Sequence, residues 1–242
     1  MELTERGKQI RRDTLMLAKD NGGYHFGGSF SIVEILIALY DEVIADDDIF
    51  LLSKGHACFP LYVILKEMGL NPRLSGHPSM DIRNGIEFTS GSEGHGLPVA
   101  IGMAWGRKLR GKPGRVFVLI GDGECQEGTT WESLLTAPYR KLNNLVCIVD
   151  WNKIQGSGFI KDILPIPGLA SIARIAGWEV DVVDGHDIDA LIGVINHVCN
   201  SPKLIITNTV KGKGVSYMEN VPKWHACFPS PEQFEQALEE LK

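Results

Sequence analysis

The sequence predicts an α/β fold, in which helices cover both faces of a doubly wound and mostly parallel sheet. From residue 116 onward, short apolar runs alternate with segments of helical periodicity. Such alternation of buried strands and helices is typical of a parallel sheet covered on both faces. A glycine-rich turn over residues 121–128 joins the first of these runs to the helix that follows it.

Before residue 116 the sequence predicts mainly helices. Residues 3–19 show an amphipathic helical pattern, and Ser31 is a candidate N-cap for a second helix over residues 32–43. Pro60 fits the first turn of a third helix, which ends near Gly69. A loop rich in glycine, histidine and serine follows over residues 71–96, and a helix over residues 97–110 precedes the sheet.

The remaining strands and helices alternate along the second half of the chain. The predicted strands cover residues 116–120, 145–150, 178–183 and 204–210, and the predicted helices cover 128–141, a segment ending at Gly177, 188–199 and a last segment from Pro231. Residues 152–167 are irregular. The chain shows no repeat, linker or low-complexity segment, so a single domain over residues 1–242 is the simplest organisation.

Composition excludes several classes of protein. The 242 residues are 44% hydrophobic, which is enough for a sizeable core. The net charge of −6 is spread along the chain, and no basic run indicates a nucleic-acid or membrane surface. The apolar stretches have strand length, far below a membrane span. Five cysteines form no CxxC pair, so we expect free thiols and a cytoplasmic protein.

Two oxygen-bearing side chains follow neighbouring strands of the predicted sheet. Asp122 lies between Gly121 and Gly123 after one strand, and Asn152 follows the next strand. One βαβ unit separates them, which brings their loops side by side at the carboxyl ends of the strands, where ligands bind in such folds. A carboxylate and a carboxamide suit Mg²⁺, which usually keeps phosphate oxygens in its other positions, although Mn²⁺ and Ca²⁺ also fit.

The glycines around Asp122 allow a diphosphate to approach the backbone closely. For this loop alone, an ordinary tight turn in which Asp122 caps the helix remains open. The glycine spacing does not match the G-x-G-x-x-G pattern of dinucleotide-binding proteins. The pairing of this loop with Asn152 therefore indicates a diphosphate cofactor that is held through a metal ion.

Residues 121–155 resemble the thiamine diphosphate motif, which begins with Gly-Asp-Gly and ends at Asn. The fuller pattern, Glu-Gly-x-x-Trp-Glu followed by Asn-Leu-x-x-Ile-x-Asp-x-Asn-x-x-Gln, resembles transketolase in particular. The resemblance implies that Asp122, Asn152 and the main-chain carbonyl of Ile154 bind Mg²⁺ or Ca²⁺, and that Gly123 packs against the cofactor diphosphate. It also implies that Glu127 lies at a subunit interface, where it communicates protons between paired sites.

Four histidines lie in segments that resemble transketolase blocks, namely residues 23–29, 52–57, 76–78 and 224–226. The resemblance implies that His56 and His225 hold the diphosphate, and that His25, His77 and His225 face the sugar hydroxyls and the reacting carbonyl. Imidazole suits both tasks, because it donates hydrogen bonds and exchanges protons near neutral pH. A lone histidine is more often structural.

Two other histidines match no transketolase block. His186 is interpreted as a turn residue and His197 as a helix residue.

The chain departs from the transketolase pattern in the cofactor loop, residues 91–96. Gly91, Ser92 and Glu93 are expected beside the cofactor, but Glu93 replaces an apolar residue, and a carboxylate there is unfavourable unless it is paired. His95 replaces a glutamine in the same loop, and Phe26 replaces a proline beside the first histidine. These departures question the usual substrate and leave the class of enzyme intact.

The resemblance covers only the first third to half of a full transketolase, namely its diphosphate-binding domain. The domain that binds the aminopyrimidine, and supplies the glutamate that assists deprotonation of the thiazolium carbon, has no counterpart here. We therefore expect a separately encoded C-terminal subunit and an α2β2 heterotetramer. We prefer this interpretation to a truncated chain because the last helix ends in charged residues.

The implied activity is the transfer of a two-carbon ketol unit from a ketose to an aldose. Another thiamine diphosphate enzyme remains an alternative, either an acyloin ligase or a specialised transketolase that acts on an unphosphorylated or modified sugar. A non-catalytic subunit that only binds the cofactor is the third possibility.

Overall fold

A computed structural model describes residues 3–242 and has a five-stranded parallel sheet at its centre. The strand order is β1-β2-β3-β7-β6, and every neighbouring pair is parallel. A separate antiparallel hairpin contains β4 and β5. The strands are β1 (Ile49–Leu52), β2 (Val116–Gly121), β3 (Leu145–Trp151), β4 (Ile154–Gln155), β5 (Gly158–Phe159), β6 (Glu179–Asp184) and β7 (Lys203–Asn208). The predicted α/β fold class is confirmed.

Helices cover both faces of the sheet. They are α1 (Leu3–Asn21), α2 (Phe26–Phe30), α3 (Val33–Ile37), α4 (Phe59–Glu67), α5 (Gly96–Leu109), α6 (Gly128–Tyr139), α7 (Ile160–Ile163), α8 (Leu169–Ala176), α9 (Ile188–Asn196) and α10 (Pro231–Glu240). Within residues 3–242, no helix is both long and apolar enough to cross a membrane.

The side chains of β2 show how the sheet divides the core into two parts. Phe117 and Leu119 point into a cluster formed with α1–α4, α9 and α10, whereas Val116, Val118 and Ile120 point into a cluster formed with α5, α6 and α8. Successive residues of a strand face opposite sides of a sheet, and all five of these side chains are buried. Apolar residues at every position of β2 are therefore required by burial on both faces.

The second predicted helix, over residues 32–43, differs from expectation. The structure has two short α-helices, α2 and α3, and a π-helical turn over Ala38–Val43. The prediction of Ser31 as an N-cap is wrong, since Ile32 precedes α3. The Ser31 hydroxyl is buried and donates to Oδ2 of Asp150 at 2.7 Å, with the Gly28 carbonyl as a second acceptor at 3.0 Å; the charged acceptor forms the stronger of these bonds.

Two further features were not predicted. Strand β1 extends the sheet beside β2, with Ile49 opposite Val116. Its four residues form too short an apolar run to be distinguished from a buried helical segment by periodicity. The irregular segment over residues 152–167 contains the β4–β5 hairpin and α7, and the hairpin begins two residues after Asn152.

Candidate active site

A polar cleft of about 320 Å³ opens at the carboxyl ends of the strands. It is lined by the loops after β2 and β3, by Lys54 and His56 after β1, and by Lys211 and His225 after β7. Asp122, Asn152 and Ile154 all contribute to this lining. The sheet therefore brings together residues that are separated by most of the chain.

Asp122 is the buried carboxylate of the cleft. Its Oδ1 accepts a hydrogen bond from the Gly123 amide at 2.9 Å, and its Oδ2 accepts one from the Lys153 amide. Burial, together with the nearby charge of Asp150, raises the pKa of Asp122 to about 7. Desolvation and a like charge both disfavour ionised Asp122, and a bound cation would oppose them.

Asn152 presents its carboxamide in a fixed orientation. Nδ2 donates to Oδ2 of Asp150 at 2.8 Å, and Oδ1 accepts from the Ile154 amide at 3.0 Å. The Ile154 carbonyl accepts from Nζ of Lys211 at 2.7 Å. The two amide contacts of Asn152 thus determine which of its ends faces Ile154.

The oxygen atoms of Asp122, Asn152 and the Ile154 carbonyl are of the type that binds a small hard cation. A carbonyl or carboxamide oxygen has two lone pairs, so each of these contacts leaves one available. The buried Oε1 of Gln155 has no hydrogen-bond partner within residues 3–242, and it belongs to a residue that lines the cleft. Residues 3–242 contain no cluster of three or more His, Cys, Asp or Glu side chains placed to hold a metal. A metal here would therefore depend on Asp122, Asn152 and the Ile154 carbonyl.

Asp150 lies behind the cleft and was not predicted as a functional residue. It is fully buried, and it accepts hydrogen bonds from Ser31, Asn152, Thr209 and Lys54. Burial alone would raise the pKa of Asp150, but Lys54 and the hydrogen-bond donors outweigh burial and lower it. Its position at the end of a predicted strand, two residues before Asn152, was the available signal.

Two buried lysines, Lys54 and Lys211, also line the cleft and were not predicted. Burial, and then the charge of Lys54, lower the pKa of Lys211 to about 8. Two ammonium groups beside glycine-rich backbone are suited to binding phosphate oxygens. Each lysine belongs to a glycine-containing segment, Ser53-Lys54-Gly55-His56 or Lys211-Gly212-Lys213-Gly214, so the sequence contained a signal for them.

The four predicted histidines form one cluster, and two of them, His56 and His225, line the cleft. The ring centroid of His25 lies 5.4 Å from that of His56, 5.5 Å from that of His225 and 5.8 Å from that of His77. Burial, and then the neighbouring imidazoles, lower the pKa of His25 to about 4, while burial and Lys211 lower that of His225 to about 3. Both rings are therefore neutral near pH 7, and each offers one donor and one acceptor.

The cofactor loop contacts this cluster of imidazoles. Gly91 has a φ of +131°, and a Cβ at this position would lie 3.3 Å from the His77 ring. Oε1 of Glu93 lies 3.3 Å from Nδ1 of His56, a contact that lowers the pKa of Glu93. Glu93 is thus paired with His56 and lines the cleft, whereas Gly91 and Ser92 lie outside the lining. The Ser92 hydroxyl lies 3.4 Å from Nδ1 of His95.

Glu127 precedes α6 and is exposed where the cleft opens. The neighbouring Glu124 is buried and was not predicted as a site residue. Its carboxylate accepts from the Gly121 amide at 2.8 Å, the Gly94 amide at 2.9 Å and the Ser53 hydroxyl. Burial raises the pKa of Glu124 to about 7. This residue joins three of the loops that form the cleft.

Residues 13–237 match the family model described as transketolase, thiamine diphosphate binding domain. The chain belongs to the transketolase family. The predicted membership, and with it the class of transketolase-type, thiamine diphosphate-dependent transferases, is confirmed.

Two relatives of similar length carry subunit names. The chain is 39% identical over 265 residues to an apulose-4-phosphate transketolase subunit of Actinobacillus succinogenes, covering 100% of this chain and 96% of that protein. It is 33% identical over 266 residues to the 6-deoxy-6-sulfo-D-fructose transketolase subunit SqwG of a Clostridium species, covering 100% and 97% respectively. The relatives thus include transketolase subunits of this size.

Solved transketolases share the fold of this family member over its whole length. The transketolase of Leishmania mexicana superposes with a TM-score of 0.91 at 22% identity, covering 100% of this chain and 41% of that one. The transketolase of Campylobacter jejuni gives a TM-score of 0.86 at 24% identity, covering 100% and 43%. The chain therefore spans about two fifths of the length of these solved proteins.

Proposed function

We propose that this chain is the diphosphate-binding subunit of a split transketolase. With a separately encoded C-terminal subunit, it would transfer a two-carbon ketol unit from a ketose to an aldose. The observation that carries the proposal is a cleft lined by Asp122 and Asn152 together with His56 and His225, two members of a cluster of four imidazoles. We further propose that residues 1–242 form one domain and that the complex is an α2β2 heterotetramer in the cytoplasm, in keeping with five free thiols.

The cofactor and metal are assigned to particular residues in this proposal. Asp122, Asn152 and the Ile154 carbonyl hold Mg²⁺, or Mn²⁺ or Ca²⁺ in its place. Gly123 lines the cleft without a Cβ, so the diphosphate can pack against its backbone. When bound, thiamine diphosphate supplies the nucleophilic carbon and the electron sink for ketol transfer.

The histidines form two groups, one that binds the diphosphate and one that binds and orients the sugar. His56 and His225 donate to diphosphate oxygens, and Glu93 holds His56 in place through Nδ1. His25, His77 and His225 hold the sugar hydroxyls and exchange a proton at the oxygen of the reacting carbonyl. Because His25 is neutral near pH 7, its ring offers one hydrogen-bond donor and one acceptor to the sugar hydroxyls and the carbonyl oxygen.

Three further residues complete the proposed site. Gly91 and Ser92 position the loop that carries Glu93, although they lie outside the cleft lining. Glu127 faces the partner subunit and communicates protons between paired sites. Its exposed position before α6 leaves it free for contact with another chain.

A specialised sugar substrate is favoured over the common transketolase substrates. Both relatives described above are named for unusual sugars, one a phosphate and one a sulfonate. Glu93 also departs from the usual transketolase pattern, because it replaces an apolar residue with a carboxylate that is paired with His56 in the cleft. We propose a modified anionic sugar as the donor, with specificity groups contributed mainly by the partner.

Reconstitution tests this proposal. The chain alone should show no ketol transfer, and activity should appear when the C-terminal subunit, thiamine diphosphate and Mg²⁺ are added. Asp122→Ala should abolish activity of the complex, whereas Asp46→Ala, at an exposed position, should not alter it. Light scattering should show the heterotetramer. Activity of the isolated chain, or no thiamine diphosphate binding by the complex, would contradict the proposal.

A further inference from the structure

A second buried polar network lies between α1, α3 and the turn after β6. Arg11 donates through Nη1 to Oε1 of Glu34 at 2.6 Å and through Nη2 to Oε2 at 2.8 Å. Nδ1 of His186 lies 2.8 Å from the same Oε2. None of these residues lines the polar cleft. The proposed reaction therefore leaves the Arg11–Glu34–His186 network without a role.

His186 is held in one tautomer by its two contacts. The Val210 amide donates to Nε2 at 2.9 Å, so Nε2 carries no proton. Nδ1 must then carry the ring proton and donate it to Glu34. Burial opposes ionisation of Glu34, but Arg11 and His186 outweigh it and lower its pKa to about 2. The acceptor of His186 is therefore a carboxylate throughout the neutral range.

The Val210 amide begins a segment that reaches the cleft. Nζ of Lys211 donates to the Ile154 carbonyl at 2.7 Å and lies 3.1 Å from Nδ1 of His225. The Gly212 amide donates to the Gly27 carbonyl at 2.9 Å. Segment 210–212 thus joins the turn that contains His186 to two groups of the cofactor site.

The other end of the network reaches the helix that follows His25. Nη2 of Arg11 donates to the Phe30 carbonyl at 2.8 Å, at the end of α2, and His25 is the N-cap of that helix. The network therefore contacts the backbone of two segments that lead to the imidazole cluster, at Phe30 and at Val210.

We propose that His186 is a positioning residue, which holds segment 210–212 so that Lys211 and His225 face the diphosphate end of the cleft. This inference rests on the proposed function, since it assigns His186 to the same cofactor site. Its action is indirect: the ring binds a backbone amide, and that amide fixes the next residue. The interpretation of His186 as only a turn residue, although correct for its backbone, omits these contacts.

Substitutions of His186 can distinguish a role in positioning segment 210–212 from a role in the stability of the fold. His186→Leu leaves the Val210 amide and Glu34 without their partner, whereas His186→Gln retains an amide that can accept from Val210. Loss of a buried hydrogen bond should weaken thiamine diphosphate binding to the complex by about tenfold, measured by calorimetry with Mg²⁺. His186→Gln should restore most of the affinity.

A second readout needs no cofactor. In the free chain, His186→Leu should speed amide exchange at Val210 and Gly212, and it should raise acylation of Lys211 by an amine reagent. His197→Leu is the matched control, because His197 is 61% exposed and follows α9, away from the cleft lining. It should leave affinity, exchange and acylation unchanged.

The outcomes distinguish this inference from the proposed function. Absence of thiamine diphosphate binding by the wild-type complex would overturn both. Tight wild-type binding with unchanged affinity and acylation in a folded His186→Leu variant would overturn only the role of His186. If His186→Leu does not fold, His186→Asn replaces it. Asparagine is too short to reach Val210, so equal affinities of the Asn and Gln variants would overturn the inference.

Discussion

Nδ2 of Asn152 donates to Oδ2 of Asp150 across 2.8 Å, and this contact sets the orientation of the Asn152 carboxamide. Because Asp150 accepts from Nδ2 of Asn152, Oδ1 of Asn152 faces the Ile154 amide and the proposed metal position. Asp150 itself does not line the cleft. A fully buried carboxylate thus orients a residue of the site from behind, and its effects can be separated from those of Asp122.

Asp150→Ala should strongly destabilise the chain. The change leaves the buried Lys54 ammonium without its counter-charge, which typically costs about 3–5 kcal/mol. Urea denaturation monitored by circular dichroism measures the free energy of unfolding. Thr209→Val removes a single donor to Asp150 and should cost about 1 kcal/mol. Similar losses in the two variants would contradict the central role of the Lys54–Asp150 pair.

Asp122→Asn, unlike Asp150→Ala, should leave the fold stable and should instead remove the stabilisation by bound ligands. Burial and Asp150 disfavour ionised Asp122, so its replacement should leave the free energy of unfolding of the metal-free protein unchanged or higher. In wild-type complex with saturating Mg²⁺, thiamine diphosphate at one hundred times its Kd should add about 2.7 kcal/mol. The variant should lose this gain. Thermal unfolding with and without both ligands measures the difference.

The matched control for Asp122→Asn is Asp46→Asn, at an exposed position. It should keep the full stabilisation by Mg²⁺ and thiamine diphosphate. Retention of that stabilisation in Asp122→Asn would show that the metal binds elsewhere.

The stability of the chain should depend on pH through His25. The unfolded ring takes up a proton near pH 6.5, but burial and neighbouring imidazoles lower the pKa of the folded ring to about 4. Between these values the unfolded state binds more protons, so the free energy of unfolding should fall as the pH drops from 6.5 to 4. Above pH 6.5 this contribution is constant.

Urea denaturation of wild type and His25→Asn at several pH values measures the contribution of His25. The variant should lose less stability than wild type between pH 6.5 and 4. NMR titration should show no protonation of His25 between pH 8 and 5.5. A titration midpoint near 6.5 in the folded chain would refute the assignment of a neutral ring.

Gly94→Ala should disrupt the loop that faces Glu127. Gly94 has a φ of +79°, and a Cβ there would lie 2.5 Å from Cβ of Glu127. Gly111 has a φ of +59° with open space around it, so Gly111→Ala tests backbone strain alone, at about 1 kcal/mol. Gly94→Ala should cost about 1–3 kcal/mol more because of the steric clash. Equal costs, measured by urea denaturation, would argue against the close contact.

The sequence predicted the parallel sheet because its central strands are buried on both faces and are therefore apolar throughout. Strand β1 was missed because four apolar residues carry no periodicity that separates strand from helix. The segment around Ser31 was assigned to capping, since local rules favour a serine before a helix. The decisive partner, Asp150, is 119 residues away, and no local pattern indicates such a contact.

The site was predictable where its chemistry lies in short motifs. Asp122, Asn152 and the four histidines all reach one region, as their loops suggested, although their roles stay predictions. Lys54 and Glu124 belong to the same segments, but a sequence does not show which charged side chains turn inward. The pairing of Glu93 with His56 depends on loop geometry, and it supplies the partner that a carboxylate in this position requires.

The imidazole cluster also bears on when the cofactor can be acquired. Its members come from residues 25, 56, 77 and 225, so the cluster joins residue 25 to a ring that the ribosome adds 200 residues later. A nascent chain that lacks this last ring presents an incomplete phosphate pocket. We therefore expect vitamin loading only after the segment that carries residue 225 has been made and has folded.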